Sequence, residues 1–282
     1  MPNNQQTVMN RESNSYTVVY ATIMVVLVAV ALAFTAQALK ETQDNNVKID
    51  KMQQILRSVG IVENAKSAVI DKYRSTIKQE LLVRADGSIA QTYEGNKIAD
   101  NEAFSLNTAN AFKELSKGKK DLTMPVYVAE VAGTTKYIFP LNGAGLWGPI
   151  WGYISVDEDC NTVFGSDFGH QGETPGLGAE IATPKFIDQF SGKTLFDKDE
   201  FVSIAVVKPG QKPHREGQDY VDGISGGTLT SNGVNEMLFS SLRHYTAFLM
   251  QHRATADTPA LSSADGEEAV QDVSMTTVIE NN

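Results

Sequence analysis

An uncharged run from Tyr16 to Leu39 limits what this chain can fold into more than any other feature of the sequence. It is dominated by Val, Ala, Leu and Ile, and a helix of this length, rising about 1.5 Å per residue, crosses a hydrocarbon core of about 30 Å. A cleaved signal peptide is the alternative, because Ala36-Gln37-Ala38 has the small-x-small pattern of a cleavage site. The run is longer than the usual apolar region of a signal peptide, about 7 to 15 residues. We therefore predict a retained transmembrane helix over residues 16–39.

The segments on either side of this helix complete the predicted domain organisation. Residues 1–15 are polar and are predicted to form an N-terminal segment without a fold of their own. Residues 40–253 carry the apolar periodicity of a folded domain. Residues 254–282 are rich in Ala, Ser, Thr and acids, and are predicted to form a disordered acidic tail.

The composition excludes several function classes. A net charge of −10 without clustered Lys and Arg argues against nucleic-acid binding. The single cysteine, Cys160, excludes an internal disulfide framework and an all-protein cysteine cluster for zinc or iron–sulfur. The four histidines show no HExxH pattern or paired ligand spacing. Since an NADH-binding fingerprint and a convincing Ser/His/Asp arrangement are also missing from the sequence, we predict neither a metal site nor a catalytic residue.

The apolar periodicity after the span predicts an α+β domain. Residues 41–82 carry apolar side chains at helical spacing and are predicted to be helical. Short β-like runs over residues 126–131, 136–139, 150–156 and 162–168, separated by glycine-rich turns, predict antiparallel hairpins. Two further helices are predicted, one over residues 179–190 and a last one that ends near Arg253, with Ser231 or Asn232 as its N-cap. The predicted fold is thus one N-terminal transmembrane helix followed by antiparallel strands and packed helices.

A segment rich in glycine and hydroxyl side chains, residues 222–232, precedes the last helix. The glycines let the backbone turn tightly, and the start of a helix presents unpaired N–H groups that can hold a phosphate. No Gly-Lys-Ser/Thr follows the glycines, which argues against an ATP-type P-loop. On spacing alone, a plain connecting loop is the commoner interpretation.

Two more glycine-rich loops precede this segment. Residues 143–153 contain both tryptophans, which either wall a flat ring that the glycines let approach, or fill the core. In residues 170–180, Glu173 and Thr174 stand among small residues, where they suit hydrogen bonds to the polar edge of such a ring. The alternative is a plain turn in which Thr174 is a cap.

These three segments together resemble one protein family. Asp222, Ser225, Gly226 and Thr228 form an Asp-x-x-Ser-Gly-x-Thr pattern that resembles the flavinylation motif of membrane-anchored FMN-binding domains. With the Gly-Leu-Trp…Trp-Gly-Tyr and Gly-Glu-Thr-Pro-Gly-Leu-Gly segments before it, residues 16–252 are similar to the C subunit of the sodium-translocating NADH:quinone reductases. The G subunit of the related Rnf-type electron-transport complexes shares the flavinylation motif and is the alternative within the family.

The resemblance implies roles for the motif residues. Thr228 would carry FMN through a phosphoester bond. Asp222, Ser225 and Gly226 would shape the loop or be recognised by a separate, magnesium-dependent flavin transferase that takes FMN from FAD. Gly227 stands where the family usually has Ala, which keeps the space and loosens the backbone. Because a threonine hydroxyl is a poor nucleophile at neutral pH, we expect no self-modification.

Residues outside the motif are predicted to contact the flavin. Glu173 and Thr174 are expected to hydrogen-bond its polar edge, and Leu177 to pack against its ring. Trp147 is expected to wall the ring. Lys208 is expected to approach the flavin or its phosphate, although an exposed lysine beside a turn is the commoner role.

The resemblance also implies a location and partners. The chain would lie in the bacterial inner membrane with its N-terminus in the cytoplasm and residues 40–253 in the periplasm, although counting lysines around the span weakly favours the opposite topology. Its partners would be the membrane, the flavin transferase and the other subunits of a complex that couples NADH oxidation and ubiquinone reduction to sodium export. If the resemblance describes only the fold, the chain is instead a membrane-anchored module that binds a non-covalent ligand or docks a partner.

Overall fold

The structure, a computed structural model, describes residues 14–119 and 121–256. The predicted N-terminal segment up to residue 13 and the acidic tail beyond residue 256 lie outside the described residues. The described part contains an antiparallel sheet with helices packed on both of its faces. The predicted α+β class is confirmed.

Helix α1 runs without a break over Asn14–Ser58 and contains the whole predicted span. Nearly all of its side chains up to residue 45 are exposed, whereas Met52, Ile55, Leu56 and Ser58 are buried. Within residues 14–119 and 121–256, it is the one helix that is long and apolar enough to cross a membrane. Because the apolar side chains of residues 16–39 have no protein around them, this part of α1 is compatible with a membrane anchor.

Six strands form one antiparallel sheet in the order β2-β1-β3-β4-β5-β6. Gly87 and Gly133, in the β1–β2 and β3–β4 turns, have φ of +84° and +79°, a conformation that costs glycine nothing. The hairpins predicted after Pro125 are therefore confirmed. The strands are β1 (Ile77–Arg84), β2 (Ile89–Glu94), β3 (Thr123–Val131), β4 (Thr134–Ala144), β5 (Pro149–Asp157) and β6 (Val163–His170).

The other elements cover the faces and one end of this sheet. The helices are α2 (Lys66–Thr76), α3 (Glu102–Ser105), α4 (Thr108–Ser116), α5 (Pro184–Ile187), α6 (Thr228–Leu242) and α7 (Thr246–Ala256). The 3₁₀ turns are Gly95–Lys97, Gly178–Ala182, Asp188–Phe190 and Arg243–Tyr245. The short strands are β7 (Phe196–Asp197) paired with β8 (Glu200–Phe201), and β9 (Ala205–Val207) paired in parallel with β10 (Tyr220–Asp222).

The sheet separates two apolar cores. One core, which includes Phe139 and Met237, lies between the sheet and helices α4, α6 and α7. The other, which includes Leu56, Tyr73 and Tyr127, lies between the sheet and helices α1 and α2. The domain therefore has three layers, and α1 belongs to one of the outer layers.

The prediction of helix over residues 41–82 is wrong at its C-terminal end. Helix α2 stops at Thr76, and Ile77 and Leu81, which were assigned to the helix, lie on β1. Since both faces of the sheet are covered, residues 80–83 are all buried, and the alternation that marks a half-exposed strand is lost.

The helix predicted over residues 179–190 is also wrong as a continuous element. Pro184 lacks the N–H that would continue the helical hydrogen bonds, so it can stand only in a first turn. The chain accordingly forms a 3₁₀ turn, then α5 with Pro184 in its first turn, then a second 3₁₀ turn.

The end of α1 is bonded to the strands β5 and β6. The Arg57 guanidinium donates hydrogen bonds of 2.8 and 3.0 Å to the two carboxylate oxygens of Asp167. The Ser155 hydroxyl donates to the Ser58 carbonyl at 2.5 Å. The Trp151 indole N–H donates to the Gln54 side chain at 3.0 Å, so Trp151 packs the domain against α1. Because α1 has no break between residues 39 and 58, the domain is joined to the apolar half of α1 without a flexible linker.

Candidate functional site

Three loops, which follow β4, β6 and β10, meet at the start of α6 and enclose a cavity of about 290 Å³. We call this the Thr228 cavity. Most of the residues predicted to bind flavin line it: Trp147, Glu173, Thr174, Leu177, Gly226, Gly227 and Thr228.

Helix α6 begins at Thr228, with Gly227 as its N-cap, which is earlier than predicted. Ser231 and Asn232, the predicted N-caps, lie inside the helix instead, so that prediction is wrong. Ser231 is buried, and its hydroxyl accepts a hydrogen bond from the Ile224 N–H at 2.8 Å, which ties the preceding loop to the helix. Because Gly227 has no side chain to cap the helix, the N–H groups of its first turn remain available to a ligand.

Close approach of α6 to β4 holds Thr228 over the cavity. A Cβ added at Gly233 would collide with the carbonyl oxygen of Ala144. A Cβ added at Gly143 would lie 2.7 Å from the Cβ of Met237. Glycine at these two positions thus lets the helix rest directly on the strand.

Gly226 makes the turn into α6 and leaves room for the cavity rim. Its φ of +78° lies in the left-handed region, which favours glycine. A Cβ added there would lie 2.8 Å from Cδ2 of Leu177. The motif glycine is therefore required by the backbone and by its neighbour across the cavity.

Glu173 is buried, at 5% exposure, and joins the loop after β6 to the loop after β4 and to α6. Its Oε2 accepts a hydrogen bond from the Thr230 hydroxyl at 2.6 Å, and its Oε1 accepts one from the Trp147 N–H at 2.9 Å. A Cβ added at Gly145 or Gly178 would collide with the carboxylate. The Glu173 side chain is thus enclosed and bonded on both oxygens.

Low pH should lower the unfolding free energy of the domain, because it protonates Glu173. Burial raises the pKa of this carboxyl, whereas the hydrogen bonds from Thr230 and Trp147 lower it. The lowering outweighs the effect of burial, so the pKa lies below its usual value. A depressed pKa contributes stability above the unfolded value of about 4.3, and that contribution is lost as pH falls through the folded pKa. We expect the gap in unfolding free energy between wild type and Glu173→Gln to be constant above about pH 5.5 and to shrink below about pH 4, measured by denaturant unfolding.

A control for this titration is Glu236→Gln on the exposed side of α6, which also removes one acidic side chain. A gap between wild type and Glu173→Gln that stayed constant down to about pH 3.5 would contradict the assignment.

The Thr228 hydroxyl and an apolar rim are open to solvent. Thr228 is exposed, and within the part of the chain that the structure describes its hydroxyl makes no hydrogen bond. Leu146, Trp147, Leu177 and Leu229 line the same cavity and are 50%, 69%, 43% and 61% exposed. Large apolar side chains exposed together mark a binding surface for an apolar group.

Asp222 and Ser225 are not brought into the Thr228 cavity. Both line a second, larger cavity of about 700 Å³, which we call the Asp222 cavity. Lys208 is not among the residues that line either cavity; it is exposed in the turn after β9. Since Val207 pairs with Asp222, Lys208 lies next to the start of the motif.

Three further residues of the site are not predicted from the sequence. Thr230 bonds Glu173, Leu229 extends the rim, and Gly178 makes room for the Glu173 carboxylate. The Thr-Leu-Thr spacing indicates that Thr230 points away from Thr228, because a helix that starts at Thr228 rotates residue 230 by about 200°. The sequence predicts a later start of the helix, so the different direction of Thr230 is not predicted.

Comparison with protein families finds an FMN-binding domain over residues 145–243. This range contains the loops after β4, β6 and β10, and therefore the Thr228 cavity. It begins in the loop between β4 and β5 and ends directly after α6.

Curated relatives cover most of the chain. The C subunit of the Na(+)-translocating NADH-quinone reductase of Haemophilus ducreyi is 30% identical over 88% of this chain and 97% of its own length. The C subunit of the same enzyme in Pseudomonas aeruginosa is 34% identical over 81% of this chain and 91% of its own length.

Two solved structures are similar to this fold. The crystal structure of the C subunit of the Na(+)-translocating NADH-quinone reductase from Parabacteroides distasonis is 50% identical, with a TM-score of 0.63, over 75% of this chain and 96% of that one. The structure of Shewanella oneidensis NqrC is 26% identical, with a TM-score of 0.55, over 74% of this chain and 99% of that one.

Proposed function

Because this chain belongs to the family of the C subunits of the Na(+)-translocating NADH-quinone reductases, we propose that it carries FMN covalently on Thr228 and passes electrons between other redox centres of the complex. The family and its FMN-binding domain make the chain an FMN flavoprotein subunit of that reductase. Coupling of NADH oxidation and ubiquinone reduction to sodium export belongs to the assembly. The chain by itself has no catalytic residue in this proposal.

The position of the Thr228 hydroxyl is the observation that carries the covalent attachment. It is exposed and makes no hydrogen bond within the described residues, and it stands at the start of α6, where free N–H groups and the helix dipole favour a phosphate. The neighbouring Thr230 hydroxyl is buried and donates to Glu173. Of these two hydroxyls, only that of Thr228 is open to a flavin donor.

The Thr228 cavity fits part of a flavin. Its volume of about 290 Å³ is close to the lower end of the range of small-molecule sites, about 300 to 1,000 Å³, so a bound FMN would be partly enclosed and partly exposed. Trp147 and Leu177 would pack against the apolar ring, and the exposed Thr174 would hydrogen-bond its polar edge. When bound, FMN supplies reversible electron transfer to this site.

Glu173 and Lys208 would act in different ways. Since both carboxylate oxygens of Glu173 are bonded to Trp147 and Thr230, its proposed effect on the flavin passes through the loop and helix that it holds. Lys208 lines neither cavity, so its proposed contribution is that of a positive charge beside the start of the motif.

Attachment would require a separate flavin transferase. In the proposed step the Thr228 oxygen attacks the FMN phosphorus of FAD, a new P–O bond forms, and the bond between the two phosphates breaks with release of AMP. The hydroxyl proton passes to a base of the transferase, because a threonine hydroxyl does not ionise by itself at neutral pH.

The proposed location follows from the family. Residues 16–39 would span the bacterial inner membrane, with residues 1–15 in the cytoplasm and residues 40–253 in the periplasm. The long apolar helix α1 supports the anchor. The G subunit of the Rnf-type complexes is set aside, because the relatives named above are C subunits of the sodium-translocating enzyme.

Expression with a flavin transferase tests the proposal. After denaturation and gel electrophoresis, the wild-type band should fluoresce under ultraviolet light, and mass spectrometry should find one FMN on the peptide that contains Thr228. A dark band in the presence of an active transferase would exclude the covalent flavin and leave a membrane-anchored module with a non-covalent ligand.

A further inference from the structure

A cavity far along the chain from the flavin site lies beside α1, just after the apolar segment of that helix. It measures about 620 Å³ and is bordered by α1 on one side and by residues 99–107, which contain α3, on the other. Asp44, Val47, Lys48 and Lys51 line it, and their spacing of three or four residues places them on one face of α1. We call this the Lys51 cavity.

Lys51 brings a partly buried positive charge to this cavity. Its ammonium group donates a hydrogen bond to the Phe104 carbonyl and lies 4.7 and 5.8 Å from the ring centroids of Phe104 and Tyr127. Within residues 14–119 and 121–256 it forms no ion pair. Burial lowers the pKa of Lys51 to about 8, against the attraction of the buried Glu80. Because a charge taken out of water is costly unless it is paired, an anionic group in the cavity would stabilise the charged lysine.

The Lys51 cavity also carries charges of the opposite sign. Asp44, Lys48 and Asp100 line it and are exposed, and their side chains form no hydrogen bond or ion pair with a described residue. With Lys51, they give the cavity two cationic and two anionic side chains. A simple anion would be repelled by the two aspartates, whereas a ligand with one phosphate and one ammonium group is complementary to both signs.

With residues 16–39 in a membrane, as proposed, the Lys51 cavity begins at the level of the lipid headgroups. Asp44 is five residues beyond Leu39, about 7.5 Å along the helix, and the headgroup layer is roughly 5 to 7 Å deep on each side. The Cα–Cβ bonds of a helix lean toward its N-terminus, which for α1 is the membrane side. The side chains of Lys48 and Lys51 therefore start out toward the lipid.

We propose that the Lys51 cavity binds a membrane phospholipid whose headgroup carries both a phosphate and a primary ammonium group, as phosphatidylethanolamine does. This inference rests on the proposed membrane anchor and is independent of the flavin. The phosphate would lie between Lys48 and Lys51, and the ammonium group would donate hydrogen bonds to Asp44 and Asp100. The bound lipid would contact both α1 and the segment that contains α3, and so would hold the base of the domain at the membrane surface.

The test measures lipid binding to the full-length chain in detergent by native mass spectrometry, with phosphatidylethanolamine and the anionic phosphatidylglycerol as probes. The Kd for phosphatidylethanolamine should be about fivefold or more below that for phosphatidylglycerol, which lacks the ammonium group. Lys48→Gln and Lys51→Met should each weaken the binding of both lipids by about fivefold or more. Asp44→Asn combined with Asp100→Asn should weaken the binding of phosphatidylethanolamine alone, and so remove the preference.

Controls keep the outcomes separate. Lys72→Gln, which removes an exposed lysine from α2, should leave both affinities unchanged. Because Lys51→Met alters the packing beside Phe104, its thermal unfolding is compared with wild type, and Lys48→Gln tests the site at an exposed position. Equal wild-type affinities for the two lipids, or an unchanged Kd in both lysine variants, would overturn the headgroup site.

Two further measurements separate the source of the ligand from the anchor. Soluble glycerophosphoethanolamine carries the same headgroup without acyl chains, and binding as tight as that of the lipid would overturn the membrane as the source. Extraction of the chain from membranes by alkaline carbonate would overturn the proposed anchor. A chain that stays in the membrane and fails the lipid test would overturn only the headgroup site.

Discussion

Thr228→Val is expected to abolish covalent flavin while leaving the domain folded. Valine has nearly the shape of threonine but lacks the oxygen that forms the phosphoester bond. Since the Thr228 side chain is exposed and its hydroxyl makes no hydrogen bond within the described residues, the free energy of unfolding should change by less than about 0.5 kcal/mol. The measurements are gel fluorescence after expression with the transferase, and thermal unfolding of the apo chain.

Thr230→Val is the matched control, because it removes the neighbouring hydroxyl from the same turn of α6. It leaves an oxygen of the buried Glu173 without a hydrogen bond, so we expect a loss of about 1 to 3 kcal/mol in stability with flavin still attached. Covalent flavin on the Thr228→Val chain, or its loss in a folded Thr230→Val chain, would be incompatible with Thr228 as the acceptor.

Gly233→Ala is expected to cause the largest loss of stability. The new methyl group would collide with the carbonyl oxygen of Ala144, a backbone atom of β4 that cannot rotate away. Alanine gains about 1 kcal/mol over glycine in helix propensity, but overpacking costs more, and we expect a net loss of about 2 to 3 kcal/mol in unfolding free energy. Because α6 must move off the strand, Thr228 should be modified more slowly as well.

Gly172→Ala is the control, since an added Cβ there meets no atom within 4 Å and its φ is not in the left-handed region. Denaturant unfolding followed by tryptophan fluorescence measures both variants. Equal stability of Gly233→Ala and wild type would mean that α6 does not rest on β4 as described.

The continuous helix α1 fixes the position of the proposed electron-carrying domain relative to the apolar segment of the helix. The hydrogen bonds from Arg57 to Asp167 and from Ser155 to Ser58 fasten the end of α1 to the sheet. The proposed flavin site therefore follows the tilt and rotation of the apolar helix. With that helix in a membrane as proposed, a partner redox centre would meet a site held at a defined height above it.

Several features could be predicted from the sequence because they depend on neighbouring residues. The apolar run of residues 16–39, the β hairpins after Pro125 and the glycine-rich motif are local patterns, and each was confirmed as a local element or as part of a loop. The order of the motifs also identified the family. Strand β1 was missed because cover on both of its faces removed the alternation that would have marked it.

The roles of individual site residues depended on contacts that are distant in sequence. Glu173 was predicted to contact flavin, yet its carboxylate is bonded to Thr230, which is 57 residues away. Asp222 and Thr228 belong to one motif, yet they line different cavities, and the Asp222 backbone is bonded to Gln189, 33 residues before it. The sequence by itself determined the long apolar helix, the fold class and the residue proposed to carry FMN, since each rests on residue types at short spacing. Only the tertiary structure decided which side chains are enclosed and which remain free, because that depends on what the rest of the chain packs against each face of the loop.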